Sequence, residues 1–132
     1  MHEHIVAIDD DLSIRELYRD LFEGEGYRAT LLGAPIPIPA VLALAPDLVI
    51  LDLQLGSVAG GGQTYLHEIK ARPVARSLPV LVCTEATDLL DRLREDLAGW
   101  ACATLAKPFD VDDALAAVAS CLAGPQAHEA LC

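Results

Sequence analysis

The sequence predicts an α/β domain of five consecutive strand–helix units, (βα)5, forming one five-stranded parallel sheet with helices on both faces. Three observations carry that prediction. Apolar blocks such as Ile5-Val6-Ala7-Ile8 and Leu48-Val49-Ile50-Leu51 run without polar alternation, as strands buried on both sides do. Segments with apolar residues at helical spacing separate these blocks. The length, 132 residues, is that of one domain able to bury its own core.

Ile5-Val6-Ala7-Ile8 is the first strand, stopped by three aspartates. Ser13-Ile14-Arg15-Glu16 has capping-box form, and Ile14, Leu17, Tyr18, Leu21 and Phe22 then repeat at helical spacing up to Gly26. Residues 27–32 read as the second strand. Pro35, Pro37 and Pro39 exclude a helix across 34–39 and favour an extended path, leaving about residues 40–45 for a short helix. The third strand, 47–52, is apolar from Leu48 until it ends on the carboxylate of Asp52. Residues 56–62 form a flexible Gly-rich loop, and 64–72 support a helix through Tyr65, Leu66 and Ile69.

Residues 79–84 are a fourth buried strand, followed by a helix marked by Leu89, Leu90, Leu93 and Leu97. A weaker fifth strand covers 102–106. Asp110 caps a last helix carrying Val111, Leu115, Val118 and Leu122, which Gly124-Pro125 stops. The expected organisation is one domain over 1–124 and a short tail over 125–132, with no output domain.

No apolar block approaches the ~20 residues of a membrane span. The start, Met1-His2-Glu3-His4, lacks the basic region of a signal peptide, so a cytoplasmic protein without membrane insertion is expected. Twenty acidic against nine basic residues give a formal charge of −11, a field that repels nucleic acid phosphates; direct nucleic acid binding is not expected. Cys83, Cys102 and Cys121 sit in apolar stretches as reduced core residues, and Cys132 reads as an exposed thiol. Their spacing suits neither a zinc site nor a disulfide framework. His2 and His4 read as part of a solvated terminus.

Ligands of open parallel sheets bind at the carboxyl ends of the strands. There the first strand delivers Asp9 and Asp10, the third Asp52, the fourth Thr84 and the fifth Lys107. Converging carboxylates either raise one another's pKa values or hold a cation, and hard oxygen donors suit Mg²⁺. A Lys ammonium and a Thr hydroxyl suit phosphoryl oxygens, and an Asp carboxylate can be the nucleophile that becomes an aspartyl phosphate.

The chain from about Ile5 to Leu122 resembles the CheY-like receiver domains of two-component response regulators. The resemblance rests on Val6-Ala7-Ile8-Asp9-Asp10-Asp11, Pro46-Asp47-Leu48-Val49-Ile50-Leu51-Asp52-Leu53, Pro79-Val80-Leu81-Val82-Cys83-Thr84 and Lys107-Pro108-Phe109. It implies a doubly wound, flavodoxin-like, three-layer α/β/α fold. It also implies Asp52 as phosphoacceptor, with Asp10, Asp52 and the Gln54 carbonyl on Mg²⁺ and Asp9 acting through a water. Thr84 and Lys107 would contact the phosphoryl group, and the Lys107–Pro108 bond would be cis. The implied partners are a sensor histidine kinase or a histidine phosphotransfer protein, because no histidine here is placed as donor, and a downstream protein target. Such a domain promotes its own phosphorylation and dephosphorylation but is not a conventional enzyme.

Three positions depart from the family pattern. Glu85 follows Thr84 where a small residue is usual, Thr104 stands where many receivers carry an aromatic switch, and Gly56 stands where Pro is common. Glu85 and Thr104 favour an alternative, a degenerate receiver that serves as a phosphorylation-independent docking module. A Mg²⁺-dependent phosphatase of the haloacid dehalogenase type is disfavoured, since Gln54 occupies the place of its second acid.

Overall fold

The computed structural model describes residues 2–55, 61–85 and 103–123. In chain order they form β1 (His4–Ile8), α1 (Leu12–Gly24), β2 (Arg28–Leu32), α2 (Ile38–Ala43), β3 (Leu48–Asp52) and α3 (Gly61–Lys70). A 3-10 turn (Pro73–Ala75) precedes β4 (Val80–Thr84), β5 (Ala103–Ala106) and α4 (Val111–Leu122). The helix expected around 89–97, the loop residues 56–60 and the tail from 124 lie outside the described residues. All strand pairs are parallel, in the order β2-β1-β3-β4-β5. This is the predicted doubly wound, three-layer α/β/α fold.

Alternate residues of each central strand point to opposite faces, and both faces are covered. Val6, Ile8, Val49, Leu51, Val80 and Val82 pack with α2 and α3 through Ile38, Val41, Leu66 and Ile69. Ile5, Ala7, Leu48, Ile50, Leu81 and Cys83 pack on the other side with Tyr18 and Phe22 of α1 and Val118 of α4. This double coverage explains why the strands read as unbroken apolar blocks. Each fully buried aliphatic side chain contributes about 1.5–3 kcal/mol. β5, at the sheet edge, alternates between half-buried and exposed residues, hence its weaker signal.

Several boundaries differ from expectation for local reasons. Asp11, rather than Ser13, caps α1: its carboxylate accepts from the Ser13 N–H at 2.9 Å, the charge favoured at a helix N-terminus. Gly26 ends the turn after α1 at φ +85°, as expected of a residue there. Two residues earlier than expected, α2 starts at Ile38, because Pro39 falls in the first turn where no N–H is required. Similarly, α3 begins at Gly61, so Gly61 and Gly62 are helical rather than part of a flexible loop.

Two side chains are placed differently. His4 is not solvated but opens β1, 7% exposed, its ring bridging the Leu44 carbonyl at 2.9 Å and the Thr30 hydroxyl at 2.7 Å. Those partners anchor the amino-terminal end of the sheet, opposite Asp9. Cys121 is disulfide-bonded rather than reduced, and its partner lies outside the described residues; Cys83 is a free, buried thiol. Among the described residues, no helix is long and apolar enough to cross a membrane.

Candidate functional site

The strand order reverses between β1 and β3, and the crevice at their carboxyl ends is where such sheets bind ligands. Asp9 directly follows β1, Asp52 ends β3, Thr84 ends β4 and Lys107 follows β5. The structure brings the predicted acids together: one oxygen each from Asp9, Asp10 and Asp52 lies within 4.8 Å of the others. Asp10 is exposed, whereas Asp9 and Asp52 are buried. Lys107 Nζ bridges the buried pair, 2.5 Å from Asp9 Oδ2 and 3.1 Å from Asp52 Oδ2. The bridge spans 98 residues of sequence to Asp9, so only the completed sheet can make it.

Burial and charge oppose each other here. Burial raises the Asp9 carboxyl pKa, with Lys107 and the Asp11 N–H pulling it down only in part. Burial alone would lower the Lys107 ammonium, but Asp9 and Asp52 outweigh it and hold its pKa above the ordinary lysine value. Shared between two acids, the lysine offsets the burial of Asp9 only in part. Two unit charges at ~4.8 Å repel by about 3.5 kcal/mol at an effective dielectric near 20, before solvent screening, so the acids need a counter-charge.

Backbone contacts fix both carboxylates. Asp9 Oδ1 accepts from the Asp11 N–H at 3.0 Å, and Asp52 Oδ1 accepts from the Gln54 N–H at 2.9 Å. Gln54 itself is exposed. Lys107 N–H donates to the Thr84 carbonyl at 2.9 Å, continuing the β4–β5 ladder to the site. Thr84 is fully buried. The Lys107–Pro108 bond is cis.

Two supports were not singled out from sequence. Gly62 lies against the Asp52–Leu53 backbone so closely that a Cβ there would collide with the Asp52 carbonyl, and its N–H donates to the Leu53 carbonyl at 2.8 Å. A glycine eight to ten residues beyond a strand-terminal carboxylate is the only hint the sequence carries. Phe109 stacks on Tyr18 at 6.0 Å, and Tyr18 stacks on Phe22 at 5.3 Å, so aromatic packing ties the Lys107 loop to α1. The Tyr18 hydroxyl, sealed beside the Cys83 thiol, makes no hydrogen bond of ordinary length; burial, first of all, raises its pKa.

Of the departures, Glu85 is exposed and lines an open cleft of about 290 Å³ with Ile14, Leu17, Lys107, Pro108 and Phe109. Thr104 is exposed on the edge strand, opposite Val82 in register. Gly56 lies outside the described residues.

Residues 5–119 match the sequence pattern of the response regulator receiver domain family. The chain is 31% identical over 114 residues to sporulation initiation phosphotransferase F of Bacillus subtilis, covering 86% of this chain and 88% of that protein. It is 30% identical over 92 residues to the DNA-binding response regulator MtrA of Mycobacterium tuberculosis, covering 69% of this chain. The match spans only 38% of MtrA, so the chain matches less than half the length of that relative. Among solved structures, the receiver domain of a two-component response regulator from Bacteroides fragilis superposes with a TM-score of 0.78 at 26% identity, over 92% of this chain and 98% of that one. Sequence pattern, relatives and fold thus converge, and the chain belongs to the response regulator receiver domain family of two-component signalling.

Proposed function

We propose that Asp52 is a phosphoacceptor and that its phosphorylation by a phosphohistidine-bearing partner, a kinase or phosphotransfer protein, switches a protein-interaction surface. The observation that carries this reading is the buried Asp9–Lys107–Asp52 bridge at the carboxyl ends of the strands. It presents a carboxylate nucleophile already beside the cation that its product requires.

The donor set fits Mg²⁺, which the family generally binds. Three hard carboxylates within 4.8 Å, faced by one ammonium, leave two negative charges for a divalent cation. Asp10, Asp52 and the Gln54 carbonyl would hold it, with Asp9 acting through a water. When bound, Mg²⁺ supplies positive charge to the phosphoryl oxygens.

Both Asp52 oxygens are engaged, Oδ2 by Lys107 and Oδ1 by the Gln54 N–H. For attack, Lys107 moves from Asp52 Oδ2 to an incoming phosphoryl oxygen, retaining Asp9 as its anchor. An oxygen–phosphorus bond forms from Asp52 while the donor's phosphorus–nitrogen bond breaks, and the released imidazole takes up a proton from solvent. Thr84, at the end of the neighbouring strand, donates to a second phosphoryl oxygen. Positioning and electrostatics supply the catalysis.

Glu85, exposed beside Lys107, favours a second reading in which the domain docks partners without being phosphorylated. Fluorine NMR with beryllofluoride separates the two. The switch predicts a bound resonance that requires Mg²⁺ and is lost in Asp52→Asn. No bound resonance on the parent protein would leave the docking reading.

A further inference from the structure

Asp9 is held at every polar atom, and three of its four holds come from the site's own framework. Its N–H donates to the Leu32 carbonyl at 3.0 Å, Oδ1 accepts from Asp11, and Oδ2 faces Lys107. The fourth comes from a side chain that the proposed chemistry does not use. Arg15 Nη1, one turn into α1, donates to the Asp9 carbonyl at 2.8 Å.

The guanidinium packs closely against residue 33, which has no side chain. A Cβ on Gly33 would sit 2.9 Å from Arg15 Nη1, 3.1 Å from its Cζ and 3.4 Å from its Nη2. The charged plane therefore lies across the Gly33 backbone, directly after β2. Leu32, which receives the Asp9 N–H, is the preceding residue, so the contacts close a ring from β2 through Asp9 to α1 and back. Arg15 is half-buried there, and its fork is pre-organised for a carbonyl acceptor.

We propose that Arg15, seated on Gly33, is a positioning residue for the cation site: it clamps the Asp9 carbonyl and so fixes the turn that aims the Asp9 and Asp10 carboxylates at Asp52. This inference rests on the reading of Asp9, Asp10 and Asp52 as a Mg²⁺ site. Without the clamp, the Asp9 carbonyl loses its side-chain donor and the Asp9–Asp10 peptide is held across the turn by the Asp11 N–H to Asp9 Oδ1 bond, which loosens the common focus of the three oxygens. Groups one step removed from a metal act in this way, and losing one typically costs 10–100-fold in affinity.

Calorimetric titration of the full chain with Mg²⁺ tests the proposal. Arg15→Ala should weaken binding on the order of tenfold. Arg15→Lys, which keeps a donor for the carbonyl, should recover part of the loss. Gly33→Ala, which keeps residue 15 an arginine but crowds its guanidinium, should weaken binding in the parent and have no further effect in Arg15→Ala. Binding within twofold of the parent in Arg15→Ala, or an equal Gly33→Ala effect in both backgrounds, overturns the proposal. Asp10→Asn separates the two layers of the argument. If it abolishes binding while Arg15→Ala stays within twofold of the parent, only the positioning role fails; if it leaves binding intact, the cation-site reading fails and the positioning role with it.

Discussion

Lys107 Nζ lies 3.1 Å from Asp52 Oδ2 while remaining on Asp9, so the ammonium already occupies the ground between the proposed nucleophile and its neighbouring acid. Among the described residues it is the cation that bridges the two buried carboxylates. Removing it leaves those charges facing each other without compensation. Lys107→Met should therefore lose about 3 kcal/mol of stability in EDTA, the lower part of the range for breaking a buried pair, because the site opens to solvent at Asp10. Added Mg²⁺ should restore part of that loss. A urea midpoint equal to the parent's, or one insensitive to Mg²⁺, would show that the bridge carries little electrostatic weight.

Gly62 makes a separate claim about packing. Its missing side chain lets the first turn of α3 rest on the Asp52–Leu53 backbone. Gly62→Ala forces backbone against backbone, where no flexible atom can yield, and should cost roughly 1–3 kcal/mol by urea denaturation. It should also slow phosphorylation, since the displaced segment carries Asp52. A variant as stable as the parent would mean that α3 can back away without strain.

How much of this was readable beforehand differs by element. β1, β3 and β4 declared themselves because both faces are buried, which leaves apolar runs ending on Asp9, Asp52 and Thr84. The candidate site residues were read from those strand ends, and the structure brings the three acids and Lys107 together. Helix starts were harder, because several residues compete to cap. Asp11 outdid the Ser13 box, and Pro39 and Gly61 joined helices that their residue types argue against. Contacts that depend on tertiary closure had no local signature: the clash that would follow a Cβ on Gly62, the His4 bridge between Leu44 and Thr30, and the Phe109–Tyr18 stack.

Glu85 bears on rate rather than on fold. It is exposed and lines the same cleft as Lys107, so under the proposed function it places negative charge where a phosphodonor would approach. Solvent screening limits the effect to within about tenfold at physiological ionic strength. Glu85→Ala should label faster with acetyl phosphate, and the gain should shrink as salt is raised. Identical rates at low salt would show that Glu85 points away from the approach path.

Cys83, directly before Thr84, supplies a pH test of burial. Its thiol is pushed up to about 11, chiefly by burial. The folded state thus holds that proton more tightly than the unfolded chain, whose cysteine titrates near 9.0. The linked stability is complete below pH ~9 and is lost as pH rises through about 11. Iodoacetamide at pH 8 should leave Cys83 unmodified in the native protein and modify it in urea. Rapid native alkylation would mean that the β4 core opens readily.

The central claim is that Asp52 accepts the phosphoryl group within the acid–lysine site. Intact-protein mass spectrometry after acetyl phosphate treatment measures it most directly. The account predicts one added phosphoryl group on the parent in Mg²⁺, and none in EDTA or in Asp52→Asn. Equal labelling of Asp52→Asn, or full labelling in EDTA, would contradict it.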